Sequence, residues 1–110
     1  MSKYIINNLI SDSNFEIKPE NEIFEDLISE KSFRIEKITS TGQHTPEGIW
    51  LEEQTNEFVL VIQGSAGLKF FDDPKIYDLH NGEWCIIPKF TKHRVEYTEN
   101  LTIWLTVHYE

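Results

Sequence analysis

Residues 81–98 read NGEWCIIPKFTKHRVEYT, and the fold turns on how this stretch is divided. Asn81-Gly82 is the chemistry of a tight turn, because both residues tolerate positive φ. WCII is a short apolar run that stops at Pro88, and HRVEYT alternates polar and apolar residues with the period of a strand. In that alternation His93 shares parity with Val95, so the two should point into a common interior while Arg94 and Glu96 point out. A histidine facing inward between two outward-facing cations is a candidate site residue.

The same pattern extends in both directions. EFVLVIQ (57–63) is a β-branched and aromatic run ended by Gly64, LKFF (68–71) ends at the turn residues DDP, and KIYDL leads back to Asn81. FRIEKIT (33–39) precedes these, and LTIWLTVHY (101–109) follows. Strands recurring about every ten residues with turns between them predict an all-β antiparallel sandwich or barrel. EFVLVIQ and LTIWLTV are apolar on both faces, and an interior covers only one, so the second face predicts a further cover and a homodimer.

The 110 residues have the length of one domain. Residues 33–110 are expected to form the barrel. Residues 1–32 are expected to be an N-terminal strand and loop segment packing on the barrel or on a partner, with YIINNL (4–9) joining a sheet edge or a partner's sheet. Within it, SDSNFEIKPENE reads as loop. EIFEDLISE reads as a strand or a short helix with Ile23, Leu27 and Phe24 inward, strand being preferred.

Nineteen acidic against ten basic residues give a net charge of -9, which repels phosphate backbones and anionic headgroups, so neither nucleic acid nor membrane is expected as a partner. Cys85 is the single cysteine. It excludes an intramolecular disulfide and a thiolate cluster, and its place in WCII reads as an inert core thiol. With no secretory leader and no apolar run long enough to span a bilayer, a cytoplasmic protein is expected.

Glycine-rich phosphate loops, nucleophile elbows and His-Glu-x-x-His helices are absent from the sequence. What remains is a spacing: Glu57 stands seven positions before Gly64, Gly82 six before Pro88, and His93 five beyond the proline. This spacing, with TPEGIW, EFVLVIQGSA, IPKFTKHRVEYT and TIWLTVHY, resembles that of small stand-alone cupins over residues 33–109. The two cupin motifs are G-x5-H-x-H-x3,4-E-x6-G and G-x5-P-x-G-x2-H-x3-N. Glu57, Gly64, Gly82, Pro88 and His93 match in place. Phe90 replaces the second motif's inner glycine, Tyr97 its asparagine, and Leu51 and Glu53 (or Trp50 and Glu52) the paired histidines. The resemblance implies a single jelly-roll barrel. It also implies a divalent metal (Fe, Mn, Ni or Zn) at the barrel mouth on Glu57 and His93, with Glu53 as a third ligand and Gln54, Glu52 or water completing the set.

Two functional classes follow. One is a metal-supported barrel acting on or binding a small molecule; the other is a metal-free small-molecule binding or sensing module. Trp50, Gln54 and Phe90 are candidate ligand contacts, although Trp50, Trp84 and Trp104 also read as core or interface aromatics. His44 and His80 read as surface loop residues, and His108, in step with Trp104 and Thr106, as a packing or hydrogen-bonding residue.

Overall fold

A computed structural model describes residues 3–10 and 21–110. Eight strands run in chain order: β1 (Ile23–Ser29), β2 (Phe33–Thr41), β3 (Asn56–Gln63), β4 (Ser65–Phe70), β5 (Asp73–His80), β6 (Trp84–Ile87), β7 (His93–Thr98) and β8 (Asn100–Tyr109). None of the described elements is a helix. All pairings are antiparallel and build two sheets, a five-stranded one in the order β1-β2-β8-β3-β6 and a three-stranded one in the order β5-β4-β7. The all-β expectation and the strand preference for EIFEDLISE hold. YIINNL, by contrast, forms no strand; the edge position next to β2 is taken by β1.

Where the chain turns between β3 and β4, Gly64 has φ +97 and a Cβ there would stand 2.6 Å from the Leu101 carbonyl oxygen, so only glycine fits. Its amide donates to the Asn81 side chain at 2.8 Å, and the Gly82 amide donates to the Val61 carbonyl at 2.7 Å. The two turns named by sequence chemistry are therefore bonded to each other, which closes one end of the barrel.

The core sits between the sheets and is built from Val59, Val61, Ala66, Leu68, Leu79, Ile87 and Trp104. Trp104 is 4 % exposed, whereas Trp84 lies on the outer face at 56 %, because alternation along WCII turns Cys85 and Ile87 inward and Trp84 and Ile86 outward. Trp84 is thus no core residue. The reading of β1 needs a similar correction: Phe24 lines the interior, while Leu27 lies on the opposite face beside Lys37 and residues 7–9.

Arg94 points away from the interior, as its parity requires, yet it is buried. Its guanidinium donates to the carbonyls of Pro46 and Ile49 at 3.1 Å and of Thr45 at 2.9 Å, so the loop before Leu51 is folded over it. Leu51 in turn exchanges two backbone bonds with His93, at 2.7 and 2.9 Å.

Candidate functional site in the barrel interior

Register places the interior side chains in rows across the large sheet. The row nearest the mouth aligns Arg34, His108, Glu57 and Ile87; the next aligns Glu36, Thr106, Val59 and Cys85; the third aligns Ile38, Trp104 and Val61. Polarity therefore falls with depth, from charged residues at the mouth to an apolar floor. The small sheet contributes His93 and Val95 from β7 and Leu68 from β4, and together these enclose a cavity of about 220 Å³. That is below the roughly 300–1,000 Å³ of drug-sized sites, so the cavity suits a small molecule.

His93 and Glu57 face each other across the two sheets, with Nε2 3.9 Å from Oε1 and side chains only 6 and 12 % exposed. The His93 Nδ1 lies 2.8 Å from the Thr91 carbonyl oxygen. A carbonyl can only accept, so Nδ1 carries a hydrogen, and in the neutral tautomer this leaves the Nε2 lone pair facing the cavity. On the other side of Glu57, His108 Nε2 is 3.9 Å from Oε2 and 3.4 Å from Glu36 Oε1. Burial, with further repulsion from Glu53 and Glu36, pushes the Glu57 carboxyl up to about 7. Burial also raises Glu22, which accepts a bond from Ser40.

The sequence candidates separate. Glu57 and His93 come together inside the barrel, and Glu53 lines the mouth from an exposed position. Trp50, Gln54 and Phe90 do not line this cavity. Trp50 packs edge-on against Phe71, with ring centroids 5.2 Å apart, and beneath the Arg94 guanidinium on the outer side of the small sheet. Gln54 belongs to the open groove beside the mouth. Phe90 keeps the left-handed backbone of the glycine it replaces, with φ 63, and its ring lies exposed beside Phe71 and Lys92. His108 is buried and hydrogen-bonded, as the sequence suggested, with Glu36, which carries no signal in the sequence, as its partner at 3.4 Å. Parity with Trp104 and Thr106 was the signal that His108 faces inward.

Most donors described around the cavity are engaged; the Arg34 Nε, buried without a hydrogen-bond partner, is not. Trp104 Nε1 donates to Ser40 at 3.1 Å, Ser40 donates to Glu22, and Thr106 donates to Glu36 Oε1 at 3.3 Å. Arg34, at the rim, stands 3.5 Å from Asp26 and 4.0 Å from Glu36.

A metal of the kind the family motif implies would need three or four convergent ligands. Among the described residues, no three His, Cys, Asp or Glu side chains form such a group. Leu51 and Glu53 stand where the motif has histidines; the first has no donor atom and the second is exposed. The residues present do not fit the four-ligand centre.

The fold and its interior define a small two-sheet antiparallel barrel with a carboxylate–imidazole site near its mouth. No protein-family model and no curated protein matches the sequence. Among solved structures, a candidate mannose-6-phosphate isomerase of Ralstonia eutropha JMP134 is similar over nearly its whole length, with 34 % identity, TM-score 0.91, and 97 % of this chain and 99 % of that one covered. A cupin superfamily protein of Desulfitobacterium hafniense DCB-2 aligns with TM-score 0.72 at 17 % identity, covering 86 % of this chain and 83 % of that one. An RmlC-like cupin with a double-stranded β-helix fold from Methanocaldococcus jannaschii aligns with TM-score 0.66 at 16 %, covering 87 and 86 %. The chain has the cupin fold, a double-stranded β-helix.

Proposed function

We propose that this cupin-fold protein binds a small molecule in its barrel cavity through the Glu57–His93 and Glu36–His108 pairs, without a resident metal. The observation that carries this reading is the meeting of two buried imidazoles and two carboxylates in one small cavity where, among the described residues, no three side chains form a metal-binding group. The apolar floor would hold the ligand body and the polar rows would orient it. The chain is read as acting as a homodimer, since Trp84 and Ile86 remain 56 and 49 % exposed on the outer face of the large sheet.

The metal-supported alternative places Fe, Mn, Ni or Zn on Glu53, Glu57 and His93 and requires the Glu53 carboxylate to swing inward. In its favour, Nδ1 of His93 is tied to a backbone carbonyl, the tether that commonly orients metal-binding imidazoles. Elemental analysis of protein purified without chelator or nickel resin separates the two readings. The metal-free reading expects no stoichiometric ion, whereas an ion lost in Glu57→Ala and His93→Ala would select the alternative. A fragment screen read by the His93 and His108 ring resonances tests binding itself, and a screen in which no fragment moves either ring would sink it.

A further inference from the structure

Beyond binding as such, the hydrogen-bond inventory of the cavity specifies the charge of what it takes. Apart from the Arg34 guanidinium at the rim, whose Nε has no hydrogen-bond partner, and the proton that Glu57 retains below about pH 7, the side-chain groups turned toward the ligand space with unspent capacity are acceptors: the oxygens of Glu57, the remaining lone pairs of Glu36, and Nε2 of His93 in its neutral tautomer. Glu57 has no donor nearer than the two imidazole nitrogens at 3.9 Å, outside hydrogen-bond reach. His93 is buried, its Nδ1 is spent on Thr91, and its Nε2 faces the cavity without a hydrogen-bond partner. Trp104, Ser40 and Thr106 have their donors engaged with one another and with Glu22 and Glu36. Four carboxylates, those of Glu22, Glu36, Glu53 and Glu57, line the cavity against the single guanidinium of Arg34 at the rim.

From this inventory, and resting on the cavity-binding reading above, we infer that the ligand is a small organic cation, a primary ammonium on a short apolar body. An ammonium brings three donors and no acceptor, which complements Glu57, Glu36 and the His93 lone pair. Ile38, Val59, Leu68 and Trp104 supply the apolar surface for the body, with the Trp104 ring available to the cation's flank. A sugar phosphate is the opposite case, since its phosphate brings negative charge and acceptors into a space that already has both in surplus. Burial raises Glu57 and Glu22 in the same sense, as expected of carboxylates that lack a counter-charge.

The test compares n-butylammonium, its neutral isostere 1-butanol, and mannose 6-phosphate on the full-length protein, by calorimetry and by the ring resonances of His93 and His108. The expected result is that n-butylammonium shifts both rings and binds at least tenfold more tightly than either comparator. The preference for it over 1-butanol should collapse in Glu57→Gln and Glu36→Gln. Because a variant can fail to fold, selectivity measured on the wild-type protein decides the matter alone. Equal binding of 1-butanol at the same rings would overturn the charge assignment and leave the cavity reading standing, as would tighter binding of mannose 6-phosphate. If none of the three moves either ring, both readings fall.

Discussion

Near the barrel mouth, the two faces of the five-stranded sheet differ in the opposite sense from that of an ordinary globular sheet. The inner face carries Glu36, Glu57, Thr106 and His108 near its mouth, and the outer face carries Phe58, Trp84 and Ile86, with the Phe58 and Trp84 rings 5.3 Å apart. Polar residues inside and aromatic residues outside make sense where the inside is kept for a ligand and the outside for a second protein surface. A barrel that needed only to be stable would fill its interior with apolar side chains. The charged rows at the mouth therefore represent stability given up for binding, and the deep rows around Val61 and Trp104 are what hold the sheets together.

The sharpest way to break this comparison is to truncate one tryptophan from each face. Trp104→Ala should destabilise the monomer by about 3–5 kcal/mol, because it is 4 % exposed at the floor of the core. Trp84→Ala should cost less than about 1 kcal/mol in urea titrations on protein dilute enough to be monomeric. Equal losses would mean that the outer face also belongs to the core.

Glu57 gives the next largest effect. Its folded carboxyl is raised from 4.5 to about 7, so the folded chain retains a proton that the unfolded chain has released. The stability linked to that proton is fully present below about pH 4.5 and is lost as pH rises through 7, on the order of 3 kcal/mol in all. Glu22, raised in the same direction, adds a slope of the same sign. Urea midpoints at pH 5 and pH 8 should therefore fall more for the wild type than for Glu57→Gln. Parallel falls would show that Glu57 is solvated.

The outer face is tested by assembly. Sedimentation at micromolar concentration should give twice the 13.0 kDa chain mass, and Trp84→Lys should return the monomer. A wild-type monomer would leave Trp84 and Ile86 without a cover and remove the contrast between the faces. The smallest effect concerns Cys85, between two outward residues but itself turned inward. Burial, then Glu57, pushes its thiol from 9.0 up to about 11, so it should react with a disulfide reagent at pH 8 roughly a hundredfold more slowly than an ordinary thiol. Reaction at an ordinary rate would place the sulfur on the outer face.

Most of the barrel was legible because strand period and turn chemistry are local signals, and from FRIEKIT onward they agree with each other. Glu57 and His93 were legible for the same reason, since parity along a strand fixes which face a side chain takes. The Glu36–His108 pair was not, because it depends on β2 and β8 lying side by side, a pairing between residues about seventy positions apart that no local pattern states. Phe90 misled because its chemistry suggests a ligand contact while its backbone position, inherited from glycine, directs the ring elsewhere. YIINNL forms no strand within the chain, because β propensity says what could pair with an edge, not which edge is open, and β1 takes the one beside β2.

The Arg94 clamp bears on how quickly the site can fill and empty. Three carbonyls of the 45–49 loop are held by one buried guanidinium, and Leu51 beyond it is laced to His93 by two backbone bonds. The wall behind His93 is thereby fixed from both sides. Traffic must pass instead between Phe24 of β1 and the Arg34–Glu53 rim, so residence time in the cavity should respond to substitutions at Phe24 and Arg34 and stay indifferent to the length of the loop that Arg94 holds.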